Sequence, residues 1–425
     1  LTVCFIITIL TNYNKASSIM TKQIENINKK IDDLEIIFKK EPNNIPIIIN
    51  LANAYIELGN FELALKFTKL ASKHSPENMG IDFTLSNLID YSENKTHQKI
   101  MLEKSENSSF KEEDKIPLYF ALGKSFNDQK NYSRSFYFYS LGNKIKNSTL
   151  KNYSLEFEEI YQNKIKEFFV NFDFNKIIGK KLFDKKIIFI VGLPRSGTSL
   201  AHQILASHSN VKGFGESDIL NGFFNNKILD SKFISNLTKN NKLNDDFICE
   251  ISNYIGSKYE NNSDQKIILD KSPFNFFWLG FIKIIFPKAK IIHTIRNQED
   301  TCLSIYKSLF GKKGVLWSYD KNNITNFVKI YNFIIKFWSE KMPNYIYNLN
   351  YEMLVQDQKN QTKKLLSFCN LDWEDDCLNF YKSTLPIKSA SLYQTRKPIY
   401  KSSINQNLKY SDYISFTNEI KKIKE

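Results

Sequence analysis

Continuous apolar runs in the second half of the chain predict a buried parallel sheet. The runs are KKIIFIV at 185–191, KIILD at 266–270 and KIIHTI at 290–295. Each is followed by a segment with helical periodicity, at 198–207, 274–285 and 298–310 respectively. Strands buried on both faces that alternate with helices are typical of a parallel sheet covered by helices. We therefore predict an α/β fold with helices on both faces of the sheet, in which ligands bind at the carboxyl ends of the strands.

The first half of the chain carries an internal helical repeat. Residues 45–78 fit a helix–turn–helix unit of about 34 residues, with Gly59 at the turn and Pro76 at the end. A second copy fits from about Ile116, close to two periods later, and the segment between the copies fits poorly. The pattern resembles the tetratricopeptide repeat. It predicts either a groove that binds a protein partner or a short helical region that packs on its neighbour.

The change of pattern near residue 180 predicts two domains. Tetratricopeptide-like helical repeats are expected over residues 20–165, and the α/β domain over residues 180–425. A chain of 425 residues is long enough for both to have their own cores.

Cysteine usage and hydropathy indicate the compartment. Five scattered cysteines form no Cys-x-x-Cys pair and no cluster with histidine, which favours a reducing, cytoplasmic location and argues against structural zinc. No stretch reaches the roughly 18–20 apolar residues that span a bilayer. The apolar run at residues 1–10 leaves a weak N-terminal anchor or signal open.

The basic residues are more informative by type than by number. The net charge is +14, but lysines are spread along the chain rather than clustered, which argues against a nucleic-acid partner. Only four of the 59 basic residues are arginines: Arg134, Arg195, Arg296 and Arg396. In so lysine-rich a chain, an arginine marks a position where the planar, two-pronged guanidinium is needed.

An anion-binding loop follows the first predicted strand. Residues 192–199 read GLPRSGTS, in which a glycine turn leads into a hydroxyl-rich helix start. Backbone N–H groups and the helix dipole make such a turn a cradle for an oxyanion. The loop nearly matches the P-loop GxxxxGK[ST], but Thr198 stands in place of the lysine. Asp270 is the one candidate for a Mg²⁺ ligand at a strand end.

Two stretches resemble the sulfotransferases that use 3′-phosphoadenosine 5′-phosphosulfate (PAPS). One is PRSGTS after the first strand, and the other is IRNQEDTCLSIY, in which Ser304 lies eight residues after Arg296. The resemblance implies that Arg296 and Ser304 bind the 3′-phosphate, where a guanidinium can contact two oxygens at once. It implies that the 5′-phosphosulfate is bound by Pro194, Arg195, Ser196, Gly197, Thr198 and Ser199. Two of the four arginines fall on these anion-binding positions.

Within this superfamily the chain most resembles the protein-tyrosine (tyrosylprotein) sulfotransferases and their repeat-containing bacterial relatives. The implied catalytic residues are Glu216, Lys271 and Arg195. Glu216 would be the base that takes the proton of the acceptor hydroxyl, and Lys271 would stabilise charge on the leaving oxygen. Further nucleotide contacts are implied at Tyr351, Ser391 and Lys409, with Arg396 and Lys401 as additional candidates.

Ordinary structural roles compete with these implied ones. Glu216 also fits the first turn of a helix, Tyr351 a core position, and residues 391–410 a solvated loop. His202, His208 and His293 are the alternative bases.

The residues that follow Glu216 depart from the family pattern. Tyrosylprotein sulfotransferases have basic residues after the catalytic Glu, whereas Ser217 and Asp218 follow Glu216 here. The acceptor hydroxyl is therefore left open between protein tyrosine, a glycan and a small molecule.

The combined prediction is a PAPS-dependent sulfotransferase that works by in-line transfer without a metal. The expected partners are PAPS and its product adenosine 3′,5′-bisphosphate (PAP), the hydroxyl acceptor, and a protein bound to the repeats. The alternatives are a P-loop nucleotide-dependent phosphotransferase, and a repeat scaffold with an inactive sulfotransferase-like domain.

Overall fold

The repeat-like first half folds into helix–turn–helix pairs. The computed structural model describes residues 26–150, 153–174, 186–239, 242–260, 267–311, 315–383 and 392–413. The helices of the first half are α1 (26–40), α2 (Ile45–Leu58), α3 (Phe61–His74), α4 (Met79–Leu88), α5 (Thr96–Glu106), α6 (Ile116–Asp128), α7 (Tyr132–Thr149) and α8 (Glu156–Phe169). The predicted tetratricopeptide-like region is confirmed as helical, with α2–α3 and α6–α7 as its two matching pairs.

Asparagine side chains and one glycine set the ends of the first pair. Asn44 accepts a hydrogen bond from the backbone of α2, and Asn60 does the same for α3. Gly59 ends α2 in the left-handed region, with φ of 84°. A residue without a Cβ adopts this conformation at little cost, so the chain reverses there within two residues.

The segment that fits the repeat poorly is also helical. It contains α4 and α5, whose buried residues include a polar network beside apolar side chains such as Leu85 and Met101. Asp82 is 1% exposed and accepts from His97 at 3.0 Å and from Lys104 at 2.6 Å. This buried polar position interrupts the apolar spacing that the repeat has in the matching copies.

A five-stranded parallel sheet forms the centre of the second half. The strands are β1 (Lys186–Gly192), β2 (Val211–Gly215), β5 (Ile267–Lys271), β6 (Lys290–Ile295) and β7 (Ile346–Asn350), in the order β2-β5-β1-β6-β7. A separate antiparallel pair is made by β3 (Thr238–Lys239) and β4 (Lys242–Leu243).

Alternate residues of β1 enter two cores, one on each face of the sheet. Phe189 and Val191 pack into the larger core, and Ile188 and Ile190 into the smaller one. The helices of this half are α9 (Thr198–Ala206), α10 (Ile219–Lys227), α11 (Ser231–Leu237), α12 (Asp245–Glu260), α13 (Leu279–Ile285), α14 (Gln298–Tyr306), α15 (Lys321–Lys341), α16 (Tyr351–Gln356), α17 (Gln358–Phe368) and α18 (Leu392–Thr395). Helices α9 and α17 cover the smaller core, and α12, α13 and α15 the larger one. The predicted α/β fold with helices on both faces is therefore confirmed.

Two predicted helices differ in extent. The segment predicted as a helix over 274–285 begins with a 3₁₀ turn, Pro273–Trp278, and becomes α-helical only in α13. The side chain of Asn275 donates to Asp270, which holds this turn tight against the end of β5. The helix predicted over 298–310 ends at Tyr306.

The two halves share one hydrophobic core. Helix α8 contributes Phe169, whose ring lies 5.0 Å from those of Phe281 and Trp338. The predicted boundary at residue 165 falls inside this helix. Within the described residues, no helix is both long enough and apolar enough to cross a bilayer.

Candidate active site

The carboxyl ends of the five parallel strands carry most of the predicted site residues. In sheet order, β2 is followed by Glu216, β5 ends at Lys271, β1 is followed by the loop 192–199, β6 by Arg296 and β7 by Tyr351. Parallel strands end at one edge of a sheet, so these residues form a row. The fold thus brings together groups that lie up to 159 positions apart in the sequence, from Gly192 to Tyr351.

The loop after β1 is shaped for an anion. Gly197 has φ of 103° and opens α9, whose first turn has no side-chain cap among the described residues. The N-terminus of a helix that starts in this way favours an anion. Arg195 has φ of 69°, which is uncommon for a residue with a side chain and is typical of functional turns. Ser196 is held by Thr294, with 2.7 Å between the two hydroxyl oxygens.

Two guanidinium groups and a serine meet beside this loop. Arg195 donates from Nε to Ser304 Oγ at 3.1 Å. Arg296 donates to the carbonyl oxygen of Arg195 at 3.0 Å and to that of Ser403 at 2.7 Å. Burial, together with the positive charge of Arg296, lowers the pKa of Arg195 to about 10. Two adjacent cations in a partly buried place favour binding of an anion.

One nitrogen of this cluster is left for a ligand. Arg296 Nε is buried and has no hydrogen-bond acceptor among the described residues. An unsatisfied buried donor costs about 1–3 kcal/mol, so a ligand oxygen at this position would be strongly favoured. The residues present therefore fit a phosphate group.

Tyr351 closes the loop from the side of β7. Its ring lies against Gly197, where a Cβ atom would come within 2.7 Å of Tyr351 Cδ2. The guanidinium of Arg296 lies 4.9 Å from the same ring, and Tyr351 Oη is 2.8 Å from Ser403 Oγ. Glu352, the next residue, accepts from the backbone of Asn297 at the start of α14.

Residues 392–413, which we call the C-terminal strap, form the outer wall of the site. Gln394 accepts a hydrogen bond of 2.7 Å from Arg195. An open cleft beside the strap is lined by Thr395, residues 397–400, the loop, Arg296 and Tyr351. Both arginines and the start of α9 therefore line this cleft together with the strap.

Glu216 and Lys271 form an ion pair at the edge of the row. The Lys271 side chain is 3% exposed, whereas that of Glu216 is 47% exposed. Burial lowers the pKa of Lys271, and the neighbouring Glu216 carboxylate opposes that shift. A buried cation thus holds a carboxylate whose other face is open to solvent, where an acceptor hydroxyl can approach it.

Asp270, the candidate Mg²⁺ ligand, belongs to an internal network. It is fully buried and accepts from Ser217, from Tyr259 at 2.9 Å and from Asn275 at 3.1 Å. Burial raises its pKa to about 6 despite these donors. Because Ser217 follows Glu216, the network fixes the end of β2 and with it the carboxylate of Glu216. Both oxygens of Asp270 therefore already have protein partners.

The three histidines have protein partners. His202 is buried, and its Nε2 is 3.3 Å from the backbone nitrogen of Gly215. Burial lowers its pKa to about 3, and that of His293, which contacts Asn348 and Tyr331, to about 4. His208 lies 3.0 Å from the carbonyl oxygen of Asp372. The side chain of Glu216, which is 47% exposed, is more accessible to solvent than these three buried histidines.

The remaining predicted residues lie elsewhere. Lys409 and Lys401 are exposed on the strap. Arg396, which is also part of the strap, contacts the helical repeats. Ser391 lies outside the described residues. Gln394 and Ser403 contact the two arginines of the cluster, but nothing in the sequence singled them out. Both lie in an irregular segment without periodicity. The sequence marked that segment as a whole, but not these two residues within it.

Comparisons with known proteins agree with this geometry. Residues 188–375, which include the loop, Glu216, Lys271, Arg296 and Ser304, match the model of the sulfotransferase family. The second half of the chain thus contains a sulfotransferase-family domain.

Individual proteins are similar to longer or shorter parts of this chain. The chain is 31% identical over 312 residues to an uncharacterized protein of Aquifex aeolicus, covering 71% of this chain and 40% of that protein. It is 25% identical over 203 residues to protein-tyrosine sulfotransferase A of Caenorhabditis elegans, covering 45% and 52%. The chain therefore spans about half or less of the length of these relatives. The sulfotransferase domain of the Synechococcus PCC 7002 olefin synthase aligns with 57% of this chain and 94% of its own, at 18% identity and a TM-score of 0.42.

Proposed function

We propose that the chain transfers a sulfuryl group from PAPS to a hydroxyl acceptor. The observation that carries the proposal is the pair of arginines, with the orphaned Nε of Arg296, beside an uncapped helix start. These groups provide two adjacent anion sites, as a nucleotide with phosphates at both the 5′ and 3′ positions requires. The family match over residues 188–375 supports the same donor.

The proposed donor site assigns one role to each part of the cluster. The loop 194–199 and the start of α9 would hold the 5′-phosphosulfate, because the N-terminus of a helix favours an anion. Arg296 and Ser304 would hold the 3′-phosphate. Tyr351 and the strap would enclose the nucleoside between them.

Glu216 and Lys271 would carry out the transfer. The acceptor oxygen forms a bond to sulfur while the bond from sulfur to the bridging phosphate oxygen breaks. Glu216 takes the proton of the acceptor, and the electron pair of the broken bond leaves with the phosphate oxygen, which yields PAP. Lys271, as a preorganised buried cation, stabilises the negative charge that develops there. A protein tyrosine is one acceptor class that the nematode relative's name suggests.

A P-loop phosphotransferase is less well supported. Thr198 occupies the position of the phosphate-binding lysine, and Asp270 has three protein donors around it. Neither residue is therefore suited to a nucleotide triphosphate with Mg²⁺.

Calorimetric titration with PAP tests the donor site. We expect PAP to bind with the same affinity in excess EDTA as without it, because every group assigned to the site is a side-chain or backbone donor. ATP with Mg²⁺ should bind at least tenfold more weakly, since it lacks the 3′-phosphate. Loss of PAP binding in EDTA, or tighter binding of Mg²⁺–ATP, would contradict the proposal.

A further inference from the structure

We propose that Arg396 is a positioning residue of the donor site. It contacts the turn of the first repeat pair and thereby holds the C-terminal strap against the cleft. Through this contact the helical repeats influence the affinity for the donor. The inference rests on the proposed function, because the site in question is the PAPS site. It also assigns a role to the repeats within this chain, beside any protein that they bind.

The first repeat pair holds the beginning of the strap. The guanidinium of Arg396 donates to the carbonyl oxygen of Glu57 at 3.4 Å and lies against Gly59, where a Cβ atom would come within 2.9 Å of its Nε. Leu392 is 7% exposed and packs into the core of the repeats. The ring of Tyr393 stacks on that of Phe61 at 5.6 Å. An arginine in a lysine-rich chain is therefore used here for contact with a helix turn.

The second repeat pair holds the end of the strap. Tyr410 is fully buried, and its hydroxyl donates to Asn127 at 2.8 Å and lies 2.8 Å from Ser135 Oγ. Asn127 also accepts from Lys307, one turn beyond Ser304 on α14, at 2.7 Å. The two repeat pairs that the sequence identifies thus both contact the strap.

Between these two anchors the strap forms the wall of the donor cleft. Gln394, two residues before Arg396, accepts from Arg195 at 2.7 Å. Ser403 accepts from Arg296 at 2.7 Å, and Asp300 of α14 accepts from the backbone of Asn405 at 2.8 Å and of Asn407 at 2.7 Å. The strap therefore contacts both anion-binding arginines on one side and the repeats on the other.

The consequence for affinity follows from population arithmetic. A ligand that binds only when the strap is in place has an apparent dissociation constant equal to the intrinsic one divided by the fraction of molecules with the strap in place. If the loss of one anchor leaves the strap in place in about a tenth of the molecules, the ligand binds about tenfold more weakly. Arg396 does not line the cleft, so such a loss would act through the strap.

The test is PAP affinity in two variants, one on each side of the contact. We expect Arg396→Ala in the strap and Phe61→Ala in the repeats each to raise the dissociation constant of PAP about tenfold. The double variant should bind more weakly than either single variant, because the two changes remove separate contacts of the strap and each lowers the fraction of molecules with the strap in place. Two variants are needed so that a folding defect in one does not decide the result.

Matched controls separate this role from a loss of stability. Arg134→Ala removes an exposed arginine that lies 4.5 Å from the ring of Phe126 on the repeats. Phe38→Ala removes a half-buried ring that packs on Phe67 in the same repeat core as Phe61. Both should bind PAP like the wild type, whatever their melting temperatures. A merely structural role of Arg396 and Phe61 predicts lower melting temperatures with PAP affinity unchanged.

The outcomes distinguish this inference from the proposed function. Wild-type affinity for PAP in both Arg396→Ala and Phe61→Ala would overturn the inference alone. Failure of the wild-type chain to bind PAP would overturn the proposed function, and the inference with it.

Discussion

Replacing Glu216 by glutamine is expected to lower kcat about 10²–10⁴-fold, the usual range for loss of a general base. The amide keeps the size of the side chain and still offers an oxygen to Lys271, but it cannot take a proton from the acceptor. Affinity for PAP should be unchanged, because the donor site lies at the other strand ends. The measurement is kcat with PAPS and an acceptor, together with calorimetry of PAP binding.

Asp218→Asn is the matched control for this change. Asp218 lies two residues beyond Glu216, is also exposed, and loses the same charge when it becomes an amide. It should keep wild-type turnover. If Glu216→Gln keeps normal turnover as well, Glu216 is only the partner of Lys271, and His202, His208 and His293 have to be tested as bases.

Replacing Arg296 by lysine is expected to weaken PAP binding by about 1–3 kcal/mol, roughly 5–150-fold, although the charge is kept. Lysine is a point donor and cannot replace the Nε that the fold leaves without an acceptor among the described residues. The loss should be specific: binding of adenosine 5′-monophosphate, which lacks the 3′-phosphate, should barely change. Calorimetry with both nucleotides measures the difference.

The comparison of the two nucleotides distinguishes direct contact of Arg296 with the 3′-phosphate from a purely structural role of this side chain. Arg296 also donates to the backbone of Arg195 and of Ser403, so a purely supporting role is a real alternative. That role predicts an equal loss for both nucleotides, and such a result would contradict the assignment of the 3′-phosphate. Arg134→Lys, a change of the same type on the repeats, should leave both affinities unchanged.

The sheet and its row of strand ends could be predicted because they depend on local pattern. Parallel strands buried on both faces are continuous apolar runs, and a residue just past such a run has to lie at the binding edge. Lys271 and Arg296 directly follow two such runs, whereas Glu216 and Tyr351 were implied by the family resemblance; the structure places all four at the end of a strand.

The contacts of the strap could not be predicted, because they join irregular segments that are distant in sequence. Arg396 and Glu57 are 339 positions apart, and Tyr410 and Asn127 are 283 apart. No periodicity indicates such pairs. The rarity of arginine marked Arg396 as special, but composition cannot distinguish a phosphate from a helix turn as its partner.

The role of Asp270 could not be predicted from the sequence for a related reason. A carboxylate at the end of a strand is a metal ligand or a structural acceptor depending on its neighbours. Its three donors, Ser217, Tyr259 and Asn275, come from three different segments. Only the packing of α12 and of the 3₁₀ turn against β5 brings them together.

The most direct test of the central claim is transfer of labelled sulfuryl from PAPS to a panel of phenols, tyrosine peptides and glycans. We predict that the wild-type chain labels at least one acceptor class, forms one PAP for each label transferred, and does so in excess EDTA. Glu216→Gln should show the same PAP affinity and little label. Formation of no PAP with any acceptor, or transfer of phosphate from Mg²⁺–ATP to the same panel, would contradict the account.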